Sequence, residues 1–169
     1  MDLNGNSQTA EQLKLLADRY AIGDFPGLQT AAKSMLVAFP DNGLLWKILG
    51  IALQSQGLDA LFSLKRAAAL LPADAEVRNS LGNALEDAGL PLEAEASYRQ
   101  ALAMQPTYVP ALYNLGCLQQ SRGGEAEAEA SYRQALALAP DFSPAVFNLA
   151  VLQEHSGREG EAVVSYRRV

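Results

Sequence analysis

Cysteine, histidine, positive charge and long apolar runs are all scarce in this sequence of 169 residues. Its one cysteine cannot form an internal disulfide, and its one histidine has no second histidine with which to bind zinc. Lys and Arg number 13 against 19 Asp and Glu, so general binding to nucleic acid or an anionic membrane is not expected. No apolar run approaches the ~18 residues of a membrane span, and residues 1–12 lack a signal-peptide pattern. These absences favour a protein of the reducing cytoplasm.

Glycine-rich phosphate loops are missing as well, since none of the 13 glycines forms a dinucleotide-binding or P-loop motif. What the chain does contain is apolar and helix-forming. Hydrophobic residues make up 49% of it, alanine and leucine dominate, and isoleucine and threonine are few. That composition favours helix over sheet and supplies a core for about one domain. We predict an all-α chain with no catalytic residue, no metal site and no cofactor.

Internal repetition is the clearest pattern in the sequence. Residues 93–106 and 127–140 are offset by 34 positions and differ at only two of them. The same interval of 34 separates two series of residues: Gly89, Gly123 and Gly157, and Pro72, Pro106 and Pro140. A period of this length is typical of a solenoid built from stacked units.

Each unit contains the pattern of two helices, here named A and B. In the third unit, apolar spacing predicts helix A near 75–88 and helix B near 91–104, with Gly89 between them. Pro91 is tolerated in the first turn of helix B, and Pro106 ends it. Asp74 and Ser143 are predicted as N-caps of their helices A.

Small and bulky residues recur in step and suggest how the units pack. Gly82 and Ala94 lack bulk, so the two helices of the third unit can approach closely. Tyr98 is predicted to fill the space against helix A of the next unit, where Ala101 keeps the junction thin. No unit can bury its apolar face alone, so stacking supplies the core.

This pattern resembles the tetratricopeptide repeat family. In the second unit the matching residues are Trp46, Leu49, Gly50, Leu53, Ala60, Leu64, Ala67 and Pro72. The third and fourth units match best but carry Arg78 and Leu112 at the tryptophan position. The resemblance implies one α-α superhelix, a right-handed solenoid of about five helix-turn-helix repeats. Their predicted bounds are 9–40 (degenerate), 41–72, 73–106, 107–140 and 141–169 (incomplete).

In that family helix A lines a concave groove that binds proteins or peptides, and the resemblance implies the same here. Amide side chains can donate to and accept from a peptide backbone, and aromatic residues supply rigid anchors, for which we choose Tyr113 and Phe147. The predicted groove residues are Lys47, Asn79, Asn83, Tyr113, Asn114, Cys117, Gln120, Phe147, Asn148 and Val151. A wider set adds Ile51, Gln54, Asp87 and Glu154.

Other interpretations stay open. Asn114 and Asn148 resemble the asparagines that hold the acceptor polypeptide in the repeats of O-linked N-acetylglucosamine transferase, although they also suit a solvated helix face. The chain would then be the substrate-recruiting arm of a larger bacterial glycosyltransferase or sulfotransferase. Uncovered apolar residues in Glu161–Val169 suggest a fragment of a longer chain, or self-association through that repeat, unless Arg167 and Arg168 cap it. A carboxylate clamp of Lys47, Asn79 and Asn83 is a further alternative.

The remaining polar residues have simpler interpretations than a catalytic or metal site. Glu95 and Arg99, like Glu129 and Arg133, are four residues apart and suit ion pairs on a helix surface. Cys117 has no basic neighbour in sequence and is interpreted as a half-buried filler. His155 is expected at a helix end or at the edge of the groove.

Overall fold

The computed structural model describes residues 3–166, and in that part of the chain it contains ten helices and no strand. This confirms the predicted all-α fold. Arg167, Arg168 and Val169, to which the sequence assigned capping and packing roles, lie outside the described residues. The helices are α1 (Leu3–Ala21), α2 (Phe25–Ala38), α3 (Gly43–Gln54), α4 (Leu61–Leu70), α5 (Ala75–Asp87), α6 (Pro91–Met104), α7 (Val109–Ser121), α8 (Glu125–Leu138), α9 (Ser143–His155) and α10 (Glu159–Tyr166).

The chain divides into two compact units, each larger than one of the repeats described above. From here on, the first unit is Met1–Pro72 and the second unit is Ala73–Val169. In the first unit, α1 packs on α2, α2 on α3, and α3 on α4. In the second unit, three hairpins pair α5 with α6, α7 with α8, and α9 with α10, and α6 and α8 each contact the helix that follows. Helices α5, α7 and α9 therefore hold equivalent positions in successive hairpins. None of the described helices is both long and apolar enough to cross a membrane.

The turn inside each hairpin depends on a glycine. Gly89 has φ +71°, a left-handed conformation that an L side chain rarely adopts. Leu90 then donates its N–H to the carbonyl of Leu85 at 2.8 Å, which closes the end of α5. Gly23, Gly57, Gly123 and Gly157 have φ values between 66° and 79° in the equivalent turns. The predicted helix-ending role of these glycines is confirmed.

One of the two predicted N-caps is correct. Asp74 accepts a hydrogen bond from the backbone N–H of Val77 at 3.0 Å and caps α5 as predicted. The prediction for Ser143 is wrong, because Ser143 is itself the first residue of α9 and Phe142 occupies the cap position without a side-chain bond. Pro144 follows in the first turn, where its missing N–H is not needed.

A tyrosine lying over a glycine fills the centre of the first two hairpins of the second unit. Tyr98 and Tyr132 are fully buried. A Cβ atom built on Gly116 would lie 2.6 Å from Cε1 of Tyr132, and Gly82 is covered by Tyr98 in the same way. The sequence predicts Tyr98 against the next helix A, and the structure places its ring on Gly82 of helix A in its own hairpin. The space left by Gly82 thus holds an aromatic ring rather than a second backbone.

Candidate functional site

Three rows of side chains run along one face of the second unit. On each of α5, α7 and α9, residues at spacing i, i+4 and i+7 lie on one side of the helix. The three rows are Asn79, Asn83 and Glu86 on α5; Tyr113, Cys117 and Gln120 on α7; and Phe147, Val151 and Glu154 on α9. We call this surface, together with Asn114 and Asn148, the α5–α7–α9 face.

Asn114 joins the α7 row to the α5 row. Its Nδ2 donates to the Oδ1 of Asn79 at 3.0 Å and to the Oδ1 of Asn83 at 2.9 Å. The hydroxyl of Tyr98 donates within the same group, to Oδ1 of Asn83 at 2.8 Å or to the carboxylate of Glu86. Asn79 is buried, so one amide satisfies an oxygen that would otherwise be costly to desolvate.

Asn148 repeats this geometry one hairpin further along. Its Nδ2 lies 3.4 Å from the hydroxyl of Tyr113, 3.4 Å from Sγ of Cys117 and 3.3 Å from the hydroxyl of Tyr132. The hydroxyl of Tyr132 donates to Oε1 of Gln120 at 2.8 Å. The acceptors are weaker than the carbonyl oxygens at the first junction, and the distances are longer.

Within the described residues, both asparagines form side-chain hydrogen bonds through the nitrogen of the amide and not through its oxygen. Among the described residues, no group donates a hydrogen bond to Oδ1 of Asn114 or of Asn148. Both side chains are half-buried. Each amide therefore fixes the stacking of adjacent hairpins while keeping two acceptor lone pairs for another molecule.

The tyrosine hydroxyls beneath this face stay protonated at physiological pH. Burial raises the pKa of Tyr98 far above its ordinary value, and the hydrogen bond to Glu86 raises it further. Burial also raises the pKa of Tyr132 and of Tyr113. These phenols act as hydrogen-bond donors and packing groups rather than as bases.

The two predicted anchors differ in exposure. Tyr113 is half-buried, with its ring 6.0 Å from that of Tyr132 and 5.3 Å from that of Phe142. Phe147 is 53% exposed, and its ring lies 6.0 Å from that of Tyr166 at an angle of 61°. The ring of Phe147 is therefore accessible to a partner, whereas the ring of Tyr113 is only partly accessible.

Nine of the ten predicted groove residues lie in the second unit, on α5, α7 and α9. Lys47 is on α3 of the first unit and is half-buried. The carboxylate clamp of Lys47, Asn79 and Asn83 remains a prediction. His155 is the exposed last residue of α9, which fits its predicted place at a helix end.

The predicted groove set omitted Glu86 and the hydroxyls of Tyr98 and Tyr132. The signal was present in the period, because Glu86, Gln120 and Glu154 recur at intervals of 34 residues, each 12 before a tyrosine. In each hairpin that tyrosine donates to the acid or amide. The repetition predicts which residue bonds to each tyrosine hydroxyl. Which other side chains join that hydrogen-bond network depends on how the helices pack.

One glutamate of α6 and one of α8 form ion pairs on the helix surface. The predicted pairs Glu95–Arg99 and Glu129–Arg133 are confirmed at 2.6 and 2.7 Å. Glu129 also contacts Arg158 at 2.6 Å, and this hydrogen bond is the main cause that lowers the pKa of Glu129 below its ordinary value. Within residues 3–166, no three His, Cys, Asp or Glu side chains are placed to hold a metal ion.

Comparison with known proteins supports the repeat assignment. Two family models described as tetratricopeptide repeat match residues 54–109 and 97–130. Residues 54–130 of the chain therefore match tetratricopeptide repeats. The fold is that of known repeat solenoids, and it is similar to the crystal structure of MamA at 28% identity, with a TM-score of 0.80 over 96% of this chain and 90% of that one.

Two further solved structures show the same similarity. PilW, described as a widely conserved type IV pilus biogenesis factor, is 27% identical, with a TM-score of 0.82 over 94% of this chain and 74% of that one. TTC0263, a thermophilic tetratricopeptide repeat protein of Thermus thermophilus, is 26% identical, with a TM-score of 0.75 over 94% and 88%. No curated protein sequence matches the chain significantly. The resemblance to the O-linked N-acetylglucosamine transferase repeats gains no support here and stays a prediction.

Proposed function

We propose that the α5–α7–α9 face binds an extended peptide segment of a protein partner, without catalysis. The observation that carries this proposal is the pair of half-buried asparagines, Asn114 and Asn148, whose Oδ1 atoms receive no hydrogen bond from any described residue. Repeats of this type form helical scaffolds consistent with protein–protein interaction.

The chemistry of these acceptors suits a backbone rather than a particular side chain. An extended peptide presents N–H groups at regular intervals, and an amide oxygen accepts from them whatever the sequence. The asparagines recur with the period of the hairpins, so N–H groups spaced along one peptide can reach both acceptors. Because the Nδ2 atoms are held by Asn79, Asn83 and Cys117, the amides are oriented before a peptide arrives, which reduces the entropy lost on binding.

Specificity then requires an exposed side-chain anchor, and Phe147 is the best candidate. It is an aromatic residue in the α9 row and is 53% exposed. Large aromatic residues dominate binding energy where a partner covers them. Tyr113 is a less suitable test, because its ring packs on Tyr132 and Phe142 and its loss would disturb the core.

A phage-displayed library of random 12-residue peptides, selected on the whole chain, tests the proposal. We expect enriched peptides whose affinity falls by more than about fivefold with Phe147→Ala, corresponding to more than ~1 kcal/mol. Leu92→Ala is the matched control, since Leu92 is 68% exposed on α6 and outside the face. If both substitutions weakened binding equally, or if no peptide were enriched, the proposed function would be wrong.

A further inference from the structure

Glu86 and Gln120 occupy equivalent positions in the first two hairpins of the second unit but differ in charge. Each accepts a hydrogen bond from the hydroxyl of the tyrosine in its own hairpin. Glu86 is bonded by Tyr98, and Gln120 is bonded by Tyr132. Both tyrosines are fully buried. The α5–α7–α9 face therefore holds a carboxylate at one position and a neutral amide 34 residues further along, in the same hydrogen-bonded arrangement.

The carboxylate of Glu86 has no cationic partner among the described residues. Its Oε2 atom accepts from Tyr98, whereas Oε1 receives no hydrogen bond from a described residue and is not buried. Acids on the other helices differ, because Glu95 and Glu129 each pair with two arginines. Since Glu86 is half-buried, salt screens its charge less than that of a fully exposed acid.

Glu86 lies beside the atoms that we propose bind the peptide backbone. The hydroxyl of Tyr98 is 2.8 Å from Oδ1 of Asn83 and within hydrogen-bonding distance of Glu86. The same Asn83 oxygen accepts from Nδ2 of Asn114 at 2.9 Å. A peptide whose N–H group bonds to Oδ1 of Asn114 can therefore extend a long side chain to the carboxylate of Glu86.

Charge is distributed unevenly along the chain. Residues 73–169 contain seven Lys and Arg against 13 Asp and Glu, whereas residues 1–72 contain six of each, so the net charge of −6 belongs to the second unit. No Lys or Arg lies in the three rows of the face, and α7 has no charged residue. A basic segment is therefore attracted to this unit and meets no competing cation in those rows.

We propose that Glu86 is a subsite for an arginine or lysine side chain of the bound peptide. The guanidinium or ammonium group donates to Oε1 of Glu86, while the hydroxyl of Tyr98 holds Oε2 in place. Gln120 presents a neutral oxygen at the equivalent position, so the next hairpin does not select a cation in this way. This inference rests on the proposed function and adds a charge preference to it.

Peptides selected on the whole chain test the subsite. We expect them to share a basic residue, and we expect replacement of arginine by citrulline, its neutral isostere, to weaken binding about fivefold, the upper end for a surface ion pair. Glu86→Gln should abolish that difference without changing the affinity of the citrulline peptide. The variant should fold, because glutamine already accepts from a buried tyrosine at position 120.

Glu93→Gln is the matched control, because it removes the same charge from an exposed residue of α6, outside the face. It should leave the fivefold difference between the arginine and citrulline peptides intact. An equal effect of the two variants would contradict the inference, since the basic residue would then respond to the overall charge rather than to Glu86.

The outcomes separate this inference from the proposed function. Selected peptides that lack basic residues, or that bind the unmodified chain equally well with citrulline, would overturn the subsite and leave peptide binding intact. Absence of any selected peptide would overturn both.

Discussion

The α7–α8 and α9–α10 hairpins have nearly the same sequence pattern but use their tyrosine differently. In α7–α8, the ring of Tyr132 lies over Gly116 and within a cluster that includes Ala145, Val146 and Leu149 of α9. In α9–α10, Ala150 replaces the glycine, and the ring of Tyr166 is partly exposed beside Phe147. The hydroxyl keeps its partner in both hairpins, bonding Gln120 in one and Glu154 in the other.

This difference shows that the same residue type can be fully buried in one hairpin and partly exposed in another. A repeat protein needs buried tyrosines to fill the space between helices, because no unit has a core of its own. Helix α9 of the following hairpin covers Tyr132, whereas no helix follows α10 among the described residues to cover Tyr166. The recurring hydrogen bond then orients an exposed ring instead of satisfying a buried hydroxyl.

Truncating the two tyrosines should give the largest contrast. We expect Tyr132→Ala to cost about 3–5 kcal/mol of unfolding free energy, because it empties the space between three helices. Tyr166→Ala removes a partly exposed ring and should cost much less. Urea unfolding followed by far-ultraviolet circular dichroism measures both. Similar losses in the two variants would show that Tyr166 also serves mainly to hold the fold.

Adding a methyl group at Gly116 should displace the ring of Tyr132 and lower stability. Gly116→Ala improves helix propensity but places Cβ 2.6 Å from the ring of Tyr132, and we expect a net loss of about 1–3 kcal/mol. Tyr132 should then become more accessible, as judged by ultraviolet difference absorption.

Gly160→Ala is the control for that substitution, because nothing lies within 4 Å of the Cβ it would add. It should leave stability unchanged or raise it slightly, since Gly160 lies within α10. If Gly116→Ala behaved in the same way, the close approach of Tyr132 to Gly116 would not limit the packing of this hairpin.

The asparagine bonds should contribute less than the buried rings. Asn114→Ala removes the donor to Asn79, which is buried, and one of the donors to Asn83, and we expect a loss of about 1–2 kcal/mol. Asn148→Ala should cost less, because its contacts with Tyr113, Cys117 and Tyr132 are 3.3–3.4 Å long. Urea midpoints compare the two, and the reverse order would contradict the assigned geometry.

Much of the fold could be predicted from the sequence because local rules and the repeat period agree. Gly89 ends α5 and Asp74 begins it, as their residue types indicate. Ser143 failed because a serine can either cap a helix or begin it. Pro110 could have resolved this, since it lies 34 residues before Pro144 and α7 likewise starts one residue before its proline.

The candidate face could be predicted only in part. Helical spacing identified which residues of α5, α7 and α9 share one side. It did not identify which of their donor and acceptor atoms form hydrogen bonds with neighbouring side chains. The use of the Nδ2 atoms of Asn114 and Asn148 between hairpins depends on how the helices stack. The burial of Tyr132 depends on the space above Gly116 and on α9 packing against it, and a helical pattern counts alanine and glycine alike as small.

The smallest effect we expect comes from the ion pair between Glu129 of α8 and Arg158, which lies between α9 and α10. Hydrogen bonding to Arg158 lowers the pKa of Glu129, so the folded state binds this proton less readily than the unfolded state. The stability from Glu129 is therefore fully present above the unfolded pKa of ~4.3 and is lost as pH falls through the folded value. Glu129→Gln should cost less than ~1 kcal/mol at neutral pH and flatten the loss of stability on acidification. Urea unfolding between pH 7 and pH 3 measures this effect. Glu127→Gln is the control, because it alters an exposed glutamate of the same helix. If stability fell with pH in the same way in both variants, Glu129 would not contribute to the acid dependence.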